Sequence, residues 1–274
     1  MKFFLSNAGY IALAWLFVLL VLEQCKKRFS VPSSLRDGGY ARWLKNAAFI
    51  VINRFLGPVV MLPIFFWATQ VHLWTRPRWM SGVVEIVIAV IVLDLVNYWF
   101  HRLAHTIPLL WRFHEIHHLD SALDATTGLR VHFAEMILQG LFKAAAIVLF
   151  ALPLKAVLFF EAILLLEALF HHSNICIPKK LEKLLSYVII TPNTHSVHHH
   201  ALLEDTDSNY GFIFVIWDKV FKSFNQAERK STWYMGLEYA PDLSLFELLV
   251  SPFTWVKLKY RMQKKGYQVV ENVS

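Results

Sequence analysis

Histidine is the residue type that organises this sequence. Three clusters occur in order: His101-Arg-Leu-Ala-His105, His114-Glu-Ile-His117-His118 and His195-Ser-Val-His198-His199-His200, with His171-His172-Ser-Asn174 before the last. On a helix, residues three and four apart share a face. His101 and His105 then converge on one side, as do His114, His117 and His118, and again His195, His198 and His199. Neutral imidazole suits iron, zinc, copper and nickel. Three helical segments that each present imidazoles to one centre could enclose two metal ions. His172 is the strongest additional ligand. His171 should point to a neighbouring face, and His200 lies about 100° around a helix from His199. His72, near Trp74 at the end of an apolar run, reads as an interfacial residue.

The same geometry nominates supporting residues. Asp94, Tyr98, His101 and His105 are spaced four, three and four apart and form one helical stripe. Asp94 falls within an apolar run, where an ionisable residue is costly and usually functional. It is expected to hold the second ring nitrogen of a ligand and fix its tautomer. Arg130, His132 and Glu135 form another polar group. His132 reads equally as a ligand or as a hydrogen-bonding neighbour.

Elements that position these residues follow from composition. The chain has 274 residues, of which 56% are hydrophobic, against about 45–50% in soluble domains. Apolar runs cover roughly 8–23, 47–70, 82–100, 134–151 and 154–171, each near the ~20 residues that a membrane helix needs. The last two turn at Pro153 and form a hairpin that enters the membrane with or without crossing it. The fold class is therefore an all-α integral membrane protein. It has about four to five membrane helices and a cytoplasmic histidine-rich helical cap.

Lys26, Lys27, Arg28, Arg36, Arg42 and Lys45 separate the first two runs, whereas only Arg76 and Arg78 separate the next two. By the positive-inside bias the first connection is cytoplasmic. Threading onward places every histidine cluster on that side. The net charge of +7 fits this bias and not nucleic-acid binding. The two cysteines, Cys25 and Cys176, carry no thiolate-site spacing. Expected divisions are 1–80 (membrane helices and basic loop), 81–224 (di-metal domain) and 225–274 (tail). Within the tail, 243–256 and the lysines after it read equally as an interfacial segment or as a solvated basic tail.

At these residues the sequence resembles the fatty acid hydroxylase / sterol desaturase superfamily over roughly 88–224. The resemblance rests on Asp94-x-x-x-Tyr98-Trp99-x-His101-Arg102-x-x-His105 and Leu110-Trp111-x-Phe113-His114-x-x-His117-His118. It continues in Arg130-x-His132-x-x-Glu135, His172-x-Asn174, Pro192-Asn193-x-His195-x-x-His198-His199, Asn209-Tyr210-Gly211 and Trp217-Asp218. It implies a di-iron centre, with zinc able to take the same positions, molecular oxygen, and electrons from a separate donor protein. It also implies hydroxylation or desaturation of a membrane lipid, and adds Asn174 and Asp218 to the candidate site. Three departures stand out. His132-Phe133-Ala134-Glu135 replaces a frequent His-Pro-x-x-Glu, Ser196 stands where a basic residue is common, and Lys222-Ser223 replaces a common Gly-Thr.

Two other readings fit parts of the pattern. His114-Glu115-Ile116-His117-His118 satisfies the letters H-E-x-x-H of a zinc metalloprotease, but that reading leaves the other clusters unexplained. A metal transporter should place ligands near the bilayer midplane, whereas these lie at the ends of the spans.

Overall fold

Long apolar runs become long helices in the computed structural model, which describes residues 1–25, 39–71, 73–237 and 243–254. His72, most of the basic connection after Cys25 and the lysine-rich stretch after Thr254 lie outside the described residues. Helix α1 covers Lys2–Cys25, and α2 covers Gly39–Gln70 with a π-helical turn at Gly57–Met61 around Pro58. Helix α3 is Val83–Thr106 and α4 is Pro108–His118. Helices α5 (Phe133–Leu149) and α6 (Leu154–His172) form the hairpin, followed by α7 (Lys179–Leu185) and α8 (Pro192–His198). Isolated bridges pair Ile189 with Phe214 and His200 with Met235.

Helices α1, α2 and α3 are each long and apolar enough to cross a bilayer, and the protein is an all-helical, multi-pass membrane protein. The expected four to five membrane helices resolve into these three and a shorter hairpin. Helix α5 has 17 residues, and the 19 residues of α6 include Lys155, Glu161 and Glu167. The hairpin nevertheless runs the length of the bundle. Near its tip, the Leu149 carbonyl accepts from Trp74 Nε1 at 2.9 Å, and Lys155 pairs with Glu85, in the first turn of α3. At 1.5 Å per residue, α5 is about 25 Å long. Small residues (Ala68, Ala89, Ala144, Ala156) sit among Phe65, Leu93 and Phe160 in the core. In lipid, such close approach gains dispersion contacts where the hydrophobic effect offers little.

At the other end of the bundle the helix ends are tied by polar groups. The Glu23 carboxylate, at the end of α1, accepts from the backbone N–H of Ala125 and of Asn174, at 2.9 and 2.8 Å. Arg42 donates to Asp120 at 2.9 Å and also pairs with Asp124. Asn46 donates to Asp120 and Thr126, at 3.0 Å each. The end of α1, the start of α2 and the ends of α3 and α6 therefore meet where the histidines gather.

This corrects one expectation. Arg42 and Lys45 belong to the first turns of α2, not to the connection between the first two runs. Arg42 is only 8% exposed and is neutralised by two carboxylates, and Lys45 donates to the Leu243 carbonyl at 3.0 Å. Breaking a buried pair strands the remaining charge at a cost of about 3–5 kcal/mol. Arg42→Met should destabilise the protein by that amount, read as a lowered unfolding midpoint in detergent. A midpoint within a degree of the parent would show that Asp120 is solvated.

Candidate metal centre

The histidine rings lie in two abutting groups. His101 and His105 (α3), His114 and His118 (α4) and His198 (α8) have ligand atoms all within 4.8 Å of one another. His117 (α4), His172 (α6), His195 (α8) and His199 satisfy the same limit as a second group. Helices α4 and α8 serve both groups, because the adjacent histidines His117-His118 and His198-His199 point different ways. The His118 and His199 rings stack across the boundary with centroids 4.6 Å apart. Local sequence sets the helix starts: Thr191 caps α8 by accepting from the Thr194 N–H at 3.3 Å, with Pro192 next.

Five of the nine rings have a fixed tautomer. A carbonyl or carboxylate oxygen can only accept, so the nitrogen facing it carries the proton. His101 Nδ1 donates to the Tyr210 carbonyl at 2.8 Å and His198 Nδ1 to the Ser208 carbonyl at 2.8 Å. His172 Nδ1 donates to the Ala168 carbonyl at 2.7 Å. His114 Nδ1 donates to Glu135 at 2.6 Å, and His105 Nδ1 to Asp207 at 3.1 Å. In each neutral ring Nε2 then presents a lone pair.

Those lone pairs converge without protein donors. The Nε2 atoms of His101, His105 and His198 are buried with no hydrogen-bond partner. His172 Nε2 lies 3.0 Å from His117 Nε2 and 2.9 Å from His195 Nε2. His114 Nε2 lies 3.2 Å from His118 Nε2, and His199 Nε2 lies 3.1 Å from His195 Nε2. Imidazoles bound at about 2.0–2.1 Å to one ion stand about 2.9 Å apart at right angles and about 3.4 Å apart at tetrahedral angles. The observed spacings fall in this range, so both groups fit a transition-metal ion. A donor set of neutral nitrogens selects against magnesium and calcium, which take oxygen.

Burial supplies the electrostatics. His117, His118, His195, His198 and His199 are each held well below the usual imidazole range, first by burial and then by repulsion between the charges neighbouring rings would carry. At neutral pH they are uncharged and able to ligate. Burial opposes the charge on Asp120, but Arg42 and Arg130 outweigh it and hold that carboxyl below its usual value.

The family model "Fatty acid hydroxylase" matches residues 86–223, half of the chain. The chain belongs to the fatty acid hydroxylase family. It is 27% identical over 199 residues to the ornithine lipid hydroxylase OlsE of Rhizobium tropici, covering 73% of this chain and 59% of that protein. It is 31% identical over 141 residues to human alkylglycerol monooxygenase, covering 52% of this chain and 30% of that protein. A rice very-long-chain aldehyde decarbonylase, GL1-4, is 24% identical over 167 residues, or 55% of this chain and 25% of that one. The chain thus spans less than two thirds of these relatives. No solved structure matches it.

Within this fatty acid hydroxylase domain, the supporting residues differ from expectation. Asp94 reaches no histidine. Its oxygens accept from the N–H groups of Ile213 and Phe214, at 3.0 and 3.1 Å, and from Trp217 Nε1 at 2.8 Å. Tyr98 bonds Ser223 Oγ at 2.8 Å and accepts from Arg102. Asp218 accepts from the N–H groups of Tyr210 and Gly211, at 2.8 and 2.9 Å, and from Ser223. These residues clamp the 208–218 segment, which in turn offers its carbonyls to His101 and His198. Ser223 keeps a hydroxyl where threonine is common, and Lys222 adopts a left-handed backbone, φ 58°, where glycine is common.

His132 is not in either group. It caps α5, with Nδ1 accepting from the Ala134 N–H at 3.1 Å and Nε2 donating to the Leu249 carbonyl at 3.2 Å. Glu135, three residues on, faces inward and holds His114. Asn174 contributes its backbone N–H to Glu23. His171, expected on a neighbouring face, belongs to neither group; it is fully buried, its ring centroid 4.2 Å from that of His195. His200 lies outside, bonded to Asp205 at 2.6 Å and stacked on Trp233.

Sequence reasoning missed Asp207, the Ser208, Tyr210 and Ala168 carbonyls, and Gly128. A Cβ at Gly128 would lie 2.6 Å from the Ala168 carbonyl oxygen and 3.0 Å from His172 Nδ1. Only the Asn209-Tyr210-Gly211 motif hinted at this segment.

His117→Ala and His198→Ala should each lower bound metal by at least one ion per chain, measured by elemental analysis. His132→Ala and His200→Ala should keep the metal, His132→Ala costing about 1 kcal/mol of stability through the lost cap. Metal retained in the His117 and His198 variants would refute the ligand assignment. Acidification gives a second expectation. These depressed histidines bind protons more readily once unfolded, so the stability of metal-free protein is full above about pH 6.5 and falls as pH drops below it. Calorimetry between pH 7.5 and 5 should show a falling midpoint; a flat profile would mean solvated rings.

Proposed function

We propose that this chain is a membrane lipid oxygenase holding two iron ions, one in each imidazole group. The observation that carries the reading is that members of both groups line a cavity of about 660 Å³ within the bundle. Residues from α1, α2, α5 and α6 line this cavity, with His101, His114, His117, His172 and His195 at one end. Helix α1 packs on α6 and α2 mainly on α5, and both line the cavity, so a bilayer lipid would enter between α1 and α2. The printed activities of the relatives, lipid hydroxylase and alkylglycerol monooxygenase, support oxidation of a lipid.

An aliphatic C–H bond offers neither an acidic proton nor an electrophile, so side chains alone cannot attack it. Bound iron supplies the reduction of O2 that this chemistry needs. Overall, R–H, O2, two electrons and two protons give R–OH and water; desaturation would instead give an alkene and two waters. The electrons come from a separate donor protein. The chain's own part is to hold each Nε2 lone pair inward, to exclude water, and to lay the lipid beside His114 and His172. A metalloprotease site keeps three protein ligands and an open position; five imidazoles in the first group speak against it.

Purified active protein should contain two irons per chain, and oxygen from 18O2 should appear in the lipid product on hydroxylation, or in water alone on desaturation. One zinc and no isotope uptake would sink the reading. The histidine end is assigned to the cytoplasm from Lys26, Lys27, Arg28 and Arg36 in the first connection. Both native cysteines, Cys25 and Cys176, are exposed, Cys25 two residues beyond Glu23 and Cys176 two beyond Asn174. An impermeant maleimide should therefore miss both in intact cells and label them after permeabilisation. Labelling in intact cells would reverse the orientation.

A further inference from the structure

One wall of the cavity is polar, and its groups fall into two kinds. Glu135, Gln139 and Lys143 lie at successive turns of α5 and all line the cavity, as do Asn53 on α2 and Glu161 on α6. Lys143 and Glu161 satisfy each other: Nζ lies 2.6 Å from Oε1, deep in the bundle, about 12 Å along α5 from Glu135. Nearer the histidines, two acceptors are left over. Glu135 uses Oε1 to hold His114 at 2.6 Å, while its Oε2 is buried without a partner. Asn53 donates Nδ2 to the Val131 carbonyl at 2.7 Å, which fixes its amide orientation; its Oδ1 is also buried without a partner. Glu135 is 7% exposed.

Both leftover atoms can only accept, so they call for a hydrogen-bond donor on whatever occupies the cavity. A bare methylene chain would leave them unpaired, a desolvation cost that a hydroxyl or N–H removes. We propose that Asn53 Oδ1 and Glu135 Oε2 form a polar subsite for an O–H or N–H group of the lipid, and that the oxidised carbon lies within a few bonds of that group. The second part follows from the short path through one carboxylate and one imidazole: a donor on Glu135 Oε2 is held on the Nδ1 side of His114, one ring away from its metal-facing Nε2. The substrate's polar part then enters with the oxidised carbon, and its hydrocarbon follows the apolar wall past Met61, Phe65 and Leu165. Oxidation in mid-chain, far from any donor, does not fit this arrangement.

The proposal rests on the lipid-oxygenase reading, and the test separates the two. Purified holoprotein in lipid nanodiscs is kept free of oxygen, so nothing is turned over, and binding of hexadecanol, hexadecylamine and methyl hexadecyl ether is measured by competition with one labelled acyl ligand. At least one of the two donor-bearing ligands should bind about ten-fold or more tightly than the ether, the size expected when a buried acceptor is left unmet. The stronger of the two tells whether a hydroxyl or an ammonium is preferred. Asn53→Leu should shrink that preference with metal content unchanged. Equal binding of all three ligands to the parent protein, or a preference that survives in Asn53→Leu, would overturn the subsite. Metal counting on the same preparation reports on the oxygenase reading by itself, and the comparison in the parent protein stands even if the variant fails to fold.

Discussion

An imidazole has two nitrogens and, when neutral, one proton. Pointing one nitrogen's lone pair at a shared centre sends the proton to the other, where a dry interior demands an acceptor. With nine rings packed together the demand is multiplied, because protonating one ring would set its charge against its neighbours. The chain meets it at five rings by surrounding the centre with oxygens: three backbone carbonyls, Glu135 and Asp207. Much of the surrounding structure serves to hold those oxygens. Asp94 and Asp218 clamp the 208–218 segment, and Arg42 and Asp120 tie the start of α2 to the connection after α4.

The grouping of the histidines was legible because helical spacing alone decides which rings share a face. The division into two groups was less so, since it depends on which helices cross. Asp94 shows the limit of such reasoning. The stripe Asp94–Tyr98–His101–His105 is real, but a stripe says nothing of what stands opposite. Opposite Asp94 is the backbone of Ile213 and Phe214. His132 and Glu135 were indistinguishable in sequence, and where α5 begins separates them: one becomes its cap and the other turns inward in its first turn. The backbone carbonyls carry no residue signature. Arg42 read as a loop charge because the start of α2 is polar, with Arg42, Lys45 and Asn46 spaced to face a buried network instead of water.

The bundle must also remain open to its solvent, the bilayer. Helices α1 and α2 line the same cavity, α1 packing on α6 and α2 mainly on α5. The π turn at Gly57–Met61 lies along this cavity, and such turns interrupt the regular helical ladder, often at functional sites. Gly140 of α5 gives Met61 of that turn room to approach. The metal end is cross-tied by Glu23, Arg42 and Asp120, and a long flexible substrate has to pass along the cavity that adjoins it.

Asn209 has a left-handed backbone, φ 51°, between the two carbonyls that receive His198 and His101. Its side chain donates to the Thr194 and Asn225 carbonyls at 3.0 Å each and accepts from the Asn225 N–H. The oxygens that serve the histidines here come from Ser208 and Tyr210, whose own side chains have no part in those bonds. Sequence drift at position 208 can therefore leave the centre intact, whereas drift at 209, which touches no ring, bends both carbonyls away at once. Tolerance to substitution around this centre is set by which residue steers the main chain, and proximity to the rings is a poor guide to it.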